Sequence, residues 1–574
     1  MSRPALTSLS INEPTKDQLR FVEYLGVKNG RDVHLLKVLT EDNQGNKFKE
    51  VQILENIQKP FWTTKKIKRV HRDKREYEPV SQLDIGSASE SKIAPAVAKA
   101  LGMKKPSHLC QMKDVVDSPY VYGLNISASN YIKDWYMRNG KDSPWDYATL
   151  DTEVCIDDPY NEYMTHISIS RKESSSMRVI RERFEKHNYK NDEEIIAHIK
   201  KEYIENVPNG QVMWDEKPRN IYICDDIETM IRETFAELHR WSPDILGIWN
   251  MDYDISKIEI EWRDRLGKDM AELFHDPSVP YEYKHYDYYR GSNVVKTILD
   301  DGSIKTKTKK YNEVWHDLRT SAGFKVIDTM GTFYQLRSQE PDIEGGFSLD
   351  NVLSKILNLG KIKDDSKLVK RAWHISTSKN KPAFYTCYGM FDTDSMLLLE
   401  DKLGDMRTSA PGQLGASEWG TFSGLPRRLH VAIHFFIRDL GYVVGTKPAK
   451  VVRDAILGIG GGWIVTVPAY KKLLNGLRAL YENPRTPTSH YRMVYDMDEV
   501  SAYPFATVAA NVSRITTLTE LISIEGYGKS DFLKANINII INACNSYIYC
   551  VQMLGVPGFK ALYDELDEMG KIKK

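Results

Sequence analysis

The sequence predicts an α/β multidomain fold, and three observations lead there. A chain of 574 residues is long enough for roughly three to five domains with separate cores. Between about 146 and 405, strand-like runs come first in succession and are then separated by amphipathic helical patterns. That is the order of a mixed sheet covered by helices. Hydrophobic residues make up 41% and charged residues 28% of the chain, a balance ordinary for soluble globular proteins.

Taken in order, residues 1–145 read as a mixed α+β domain. Strand-like runs at Val33–Leu39 and Glu50–Leu54 flank a turn at Asn43–Gly45. A basic stretch follows, Thr64–Arg75, carrying Lys65, Lys66, Lys68 and Arg69 directly after Phe61 and Trp62. Interleaved cations and aromatics suit a phosphate backbone and stacked bases; a solvated surface is the plain alternative. In 146–405, strands are expected at Tyr147–Ile156, Tyr163–Ser170, Asn220–Cys224 and Asp244–Asn250. A helix with Ile227, Met230, Ile231, Phe235 and Leu238 on one face lies between the last two. A tyrosine-rich insert (Tyr281–Tyr289) and the Lys/Thr stretch Lys305–Lys310 suggest an exposed hairpin whose cations meet DNA. In 406–574, residues 405–425 read as a linker or long loop, followed by a helix at Arg427–Leu440, a glycine turn at Gly458–Gly462, strands at Trp463–Val467 and Arg492–Val500, and helical segments. The glycine turn lacks the spacing of a nucleotide-binding loop.

Composition narrows the function classes. The six cysteines have no CxxC spacing, which argues against a structural zinc site or a disulfide framework. No apolar run is long enough for a membrane span and no signal-peptide pattern opens the chain, so a cytoplasmic location without membrane association is expected. With 79 basic and 79 acidic residues, any nucleic-acid contact has to come from local patches.

The chemistry centres on Leu150-Asp151-Thr152-Glu153-Val154. Positions i and i+2 of a strand point the same way, so Asp151 and Glu153 converge among apolar neighbours. Two buried like charges repel unless a cation neutralises them, and a divalent metal is the simplest cation. Asp-x-Glu triplets also occur on solvated strand faces; what singles this one out lies downstream. Asn250-Met-Asp-Tyr-Asp254 closes a strand and opens a helix. Tyr388-Gly-Met-Phe-Asp392 sits on a helix with a core face (Phe384, Cys387, Phe391, Met396, Leu399), and its two ends share a side.

In that order the three pieces resemble the exonuclease motifs of family B DNA polymerases of the T-even phage type. The resemblance implies an RNase H-like 3′→5′ proofreading exonuclease at 146–405, with a mixed sheet. Asp151 and Glu153 match the first motif, Asp254 with Asn250 and Tyr253 the second, and Tyr388 and Asp392 the third. The second motif is one residue shorter than the family pattern, which bears on Asn250 rather than Asp254. The resemblance further implies two-metal phosphodiester hydrolysis with Mg²⁺ or Mn²⁺, as oxygen ligands favour. Asp151, Glu153 and Asp392 would hold one ion, Asp151 with Asp254 through water the second, and Tyr388 would orient the attacking water. Asp392-Thr-Asp-Ser395 spells a polymerase catalytic motif, but here it falls inside the third exonuclease motif and is read as coincidence.

A second part of the resemblance lies at Asp498-Glu-Val-Ser501-Ala-Tyr503-Pro504, similar to the DxxSLYP motif of the polymerase palm with Ala502 in place of leucine. It implies a metal-binding Asp498, a triphosphate contact at Ser501 and a sugar-gating Tyr503. Gly461 and Gly462 resemble the template-contacting segment between exonuclease and palm, with a plain tight turn as the alternative. About seventy residues follow Pro504 and show no fingers motif and no later DTDS. The expectation is therefore the N-terminal subunit or fragment of a split polymerase: N-terminal domain, exonuclease and the first part of the palm. DNA, dNTP, a second polypeptide packed on Lys534–Met569 and a sliding clamp would be its partners; a shortened chain competes with the split. A free-standing exonuclease with a vestigial palm and a non-catalytic nucleic-acid-binding protein are the alternative readings.

Overall fold

Asn29 and Gly30 both adopt positive φ (50° and 77°), as a two-residue hairpin turn requires. They join β1 (Gln18–Lys28) to β2 (Arg31–Glu41), which in turn pairs antiparallel with β3 (Lys47–Glu55). One face of this sheet, Val22, Leu36, Val38 and Leu54, packs against Ala128, Ile132 and Tyr136 of α1 (Ala128–Asn139). The computed structural model describes residues 17–446 except 43, 72–74, 76, 140–144, 157–161, 299–303, 338–345, 364, 365, 367, 369 and 410–417. Asp498, Ser501, Tyr503, Gly461 and Gly462, the strands expected at Trp463–Val467 and Arg492–Val500, and the segment Lys534–Met569 lie outside the described residues.

The central element is a mixed six-stranded sheet of β4 (Tyr147–Ile156), β5 (Glu162–Arg171), β6 (Ser174–Ile180), β7 (Arg219–Cys224), β8 (Ile245–Ile248) and β9 (Lys325–Asp328), in the order β7-β6-β5-β4-β8-β9. Strands β4, β5 and β6 run antiparallel in succession, whereas β6–β7, β4–β8 and β8–β9 are parallel. The four strands expected from the sequence are all present. Two others, β6 and β9, carry no clear apolar alternation. The leading serines of β6 look like a turn, yet Ser176 Oγ donates to Glu237 (2.8 Å) and Arg219 donates to Ser175 Oγ (3.2 Å).

Helices cover both faces. On one, α3 (Ile227–Trp241) buries Met230, Ile231, Phe235 and Leu238 against Ala148, Leu150, Ile167, Ile169, Leu246 and Ile248, with Asp226 capping its first turn through Thr229 N (2.7 Å). On the other, α2 (Asp192–Asn206) and the long helix α7 (Pro382–Leu403) pack on Met177, Val179 and Ile221. Nearly every residue of α7 from Pro382 to Met396 is buried. Between them in the chain lie α4 (Met251–Glu259), α5 (Leu349–Leu357) and α6 (Lys370–Asn380); α8 (Leu425–Asp439) follows α7. Among the described residues, no helix is long and apolar enough to cross a membrane.

Two expectations are corrected, the single hairpin and the stacking platforms. The tyrosine insert and the Lys/Thr stretch do not form one hairpin: Tyr286–Tyr289 pairs with Asp317–Thr320, and the exposed Ile304–Thr308 pairs with Val294–Ile298. At the end of the stretch read as a linker or long loop, Trp419 and Phe422 are buried against Trp315, Ile245, Ile327 and Met406. Phe61 and Trp62, expected as stacking platforms, are each 3% exposed; both faces of their strand, Lys59–Thr64, are covered, Phe61 packing with Ile93, Val97 and Val121 and Trp62 with Leu83, Tyr122 and Val443.

Polar bonds set the register of α7. Thr149 Oγ1 donates to Thr393 O (2.9 Å), Ser168 Oγ and Thr393 Oγ1 share a bond (2.8 Å), and Asp394 accepts from Ser170 (2.7 Å), Tyr203 (2.6 Å) and Arg219 (2.5 Å) while pairing with Lys217 (2.9 Å). Burial opposes the Asp394 charge, but Lys217 and Arg219 outweigh it and hold the carboxyl below its usual range. Removing one partner of such a buried cluster strands the others. Asp394→Ala is expected to lower stability by about 3–5 kcal/mol, read as a fall in the chemical unfolding midpoint.

Candidate metal centre

The odd-numbered side of β4 faces α7, and this is where the carboxylates meet. Oxygens of Asp151, Glu153 and Asp392 all lie within 4.8 Å of one another. Glu153 and Asp392 are buried and Asp151 is partly so. Two of their oxygens, Asp151 Oδ2 and Asp392 Oδ1, are enclosed and have no hydrogen-bond partner. Enclosed, unpartnered carboxylate oxygens are costly unless a cation or proton joins them, so this oxygen-only group has the composition of a divalent-metal site.

The fourth acid stands beside the group, not in it. Asp254, in the first turn of α4, directs Oδ1 to Thr152, accepting from its backbone N (3.0 Å) and hydroxyl (2.7 Å). Asn250 is the N-terminal residue before α4 and makes no side-chain cap. Tyr253 is 44% exposed and lies under Lys257 Nζ, 5.1 Å from its ring centre.

Tyr388 does share a side with Asp392. The residue that joins them, Lys361, has no signature in the sequence: it lies in a short connection after α5, where neither periodicity nor spacing marks it. Its ammonium donates to Tyr388 Oη (2.8 Å) and to Asp392 Oδ2. Burial alone would depress Lys361, but Asp392, Tyr388 and Asp151 together hold it well above the ordinary lysine range. Gly389 is a second position the motifs pass over. A Cβ there would lie 3.4 Å from Glu153 Cγ and 4.0 Å from Asp151 Oδ2, so a larger side chain would push the helix off the acids.

The expected DNA contacts divide. Lys66 and Lys68 are exposed, in a single 3-10 turn. Lys65 donates to Ser81 O (2.9 Å) and Lys68 to Gln82 (2.7 Å). Arg69 spends its guanidinium on three backbone carbonyls, those of Thr64, Leu101 and Ala100, and so ties the turn to its own domain.

In comparisons with known proteins, no family model and no curated protein matches the chain.

The acids carry an electrostatic cost in the absence of a cation. Burial, then the charges of Asp254, Asp392 and Glu153, raise Asp151 well above the carboxylate range. Burial and then Asp392 raise Glu153 to about 8, and burial raises Asp254 and Asp392 against the Thr152 bonds and Lys361 respectively. A carboxyl that binds its proton more tightly folded than unfolded stabilises the fold fully below the unfolded value and loses that contribution as pH rises through the folded one. In chelator, melting temperature is therefore expected to fall from about pH 4.5 to 8 on account of Glu153. Added Mg²⁺ should restore it, with the larger gain at the higher pH because the ion competes with protons.

Proposed function

We propose that residues 146–405 form an RNase H-like 3′→5′ exonuclease domain of the family B DNA polymerase kind, removing terminal nucleotides from single-stranded DNA ends with Mg²⁺ or Mn²⁺. The observation that carries this reading is the meeting of Asp151, Glu153 and Asp392. They come from one strand and a helix about 240 residues away, and they leave two enclosed oxygens unpartnered. The chain order of the motifs, with Asp254 beside the group, supports it. So does charge: four carboxylates against the single ammonium of Lys361 leave a deficit of three positive charges, which divalent ions fit.

Asp151, Glu153 and Asp392 would hold one ion and Asp151 with Asp254 a second. When bound, the ions supply Lewis acidity and charge stabilisation for phosphodiester hydrolysis. The chain's own groups do the positioning. Lys361 donates to Tyr388 Oη, so the tyrosine proton is free to point elsewhere and Tyr388 is suited to orient the attacking water. As the water oxygen bonds to phosphorus, the P–O3′ bond breaks, releasing a nucleoside 5′-monophosphate and a shortened strand. The exposed lysines of Ile304–Thr308 offer a local cationic surface to DNA on a chain with no net charge. The motif at Asp498–Pro504 extends the reading to a DNA polymerase whose palm begins in this chain.

Asp151→Ala with Glu153→Ala is expected to reduce Mg²⁺-dependent degradation of a labelled single-stranded oligonucleotide by at least about a thousandfold, several kcal/mol of barrier. Undiminished degradation by the double variant would refute the site. Asp498→Asn should leave the nuclease rate unchanged if the two chemistries are separate.

A further inference from the structure

Beside the metal group stands a polar chain that the motifs do not include. Tyr385, three residues before Tyr388 on α7, is fully buried and donates its hydroxyl to Glu153 Oε2. A phenol has one proton. With that proton committed to Glu153, the oxygen of Tyr385 is left to accept from His374 Nδ1, 3.0 Å away on α6. His374 Nδ1 also lies 3.8 Å from Glu153 Oε2. With Glu153 ionised, as a metal ligand must be, the donors run one way: His374 N–H to Tyr385 O, Tyr385 O–H to the Glu153 carboxylate.

The surroundings hold this chain still. The rings of Tyr385 and Tyr388 are parallel within 4° at 6.0 Å. His374 packs edge-on against both, at 5.9 and 5.7 Å, and Trp373 lies 5.1 Å from Tyr388. One wall of aromatic rings therefore supports both the tyrosine of the third motif and the tyrosine that holds Glu153.

We propose that Tyr385 is a positioning residue of the metal centre and that His374 acts through it. By taking up Glu153 Oε2, Tyr385 fixes the carboxylate beside Asp151 and Asp392 and leaves its other oxygen as the ligand for a divalent ion. A donor chain that ends on the carboxylate favours its ionised, ligating form. This inference rests on the proposed exonuclease reading. It goes beyond it in assigning a function to two side chains outside the three motifs.

The test is Mn²⁺ titration of the full chain, followed by calorimetry, with melting temperature in chelator measured in parallel. Tyr385→Phe keeps the ring and removes only the donor. Its Mn²⁺ affinity is expected to fall by about ten- to a hundredfold, the usual effect of losing a partner behind a ligand, while its melting temperature in chelator stays close to that of the parent. His374→Ala should weaken Mn²⁺ binding by a smaller factor, and His374→Asn, which retains an N–H near the Nδ1 position, should recover most of it. The double variant Tyr385→Phe with His374→Ala should bind about as weakly as Tyr385→Phe alone, because the direct approach of His374 to Glu153, at 3.8 Å, is beyond hydrogen-bond distance. Parent-like Mn²⁺ affinity in Tyr385→Phe would overturn the role of Tyr385, and additive losses in the double variant would overturn the relay. Failure of the parent chain itself to bind Mn²⁺ would instead refute the metal centre, and the inference with it.

Discussion

The docking of one buried helix on one sheet is the constraint from which the site follows. α7 is buried around nearly its whole circumference, so hydrophobic packing, which is non-directional, does not by itself choose its rotation. Directional bonds do. Thr149, Ser168 and Ser170 on β4 and β5 meet Thr393 and Asp394, and Lys217, Arg219 and Tyr203 close around Asp394. With that register set, Asp392, Tyr388 and Tyr385 fall on the side of Asp151 and Glu153. The two aspartates of Asp392-Thr-Asp394 thus divide the labour: one faces the acid cluster and its lysine, the other is an internal ionic anchor.

The same packing concentrates like charge. Asp394 has more cationic partners than it needs and sits comfortably ionised, whereas Asp151, Glu153, Asp254 and Asp392 share Lys361 and are all pushed toward protonation. A fold selected for stability alone would have no reason to keep four acids there, and such local violations of polar satisfaction are characteristic of functional sites. The lysine is a partial answer. It bonds Asp392 Oδ2 and Tyr388 but leaves Asp392 Oδ1 and Asp151 Oδ2 unmatched.

What the sequence disclosed, and what it hid, follows from the range over which each signal acts. Asp151 and Glu153 were legible because strand alternation is a two-residue rule, and Tyr388 and Asp392 because helical spacing is a four-residue rule. The amphipathic face of α3 was legible for the same reason, and so were the four strands with apolar runs. β6 was hidden because its serines are satisfied by Glu237 and Arg219, partners 44 to 61 residues away. Lys361 was hidden because a lone lysine in a loop has no period, and Tyr385 because an aromatic on a buried helix reads as core. Phe61 and Trp62 misled for the converse reason: adjacency to lysines in sequence says nothing of which side of a strand the rings occupy.

The placement of Asp254 is best understood from where β4 and β8 part. β8 pairs with β4 only from Tyr147 to Thr149, then ends at Ile248 and turns into α4, while β4 runs on to Ile156. Beyond the last shared rung the edge of β4 needs a new acceptor, and Asp254 supplies it by taking Thr152 N and Oγ1 on a single oxygen. One carboxylate thereby closes the open edge of the sheet and is held just outside the cluster of three. In parallel α/β arrangements a crevice forms beyond the carboxyl ends of strands that part in this way. Here the strand that continues carries Asp151 and Glu153, and the helix that replaces its neighbour carries Asp254. The divergence of two strands therefore sets the fourth acid beside the cluster of three and not within it.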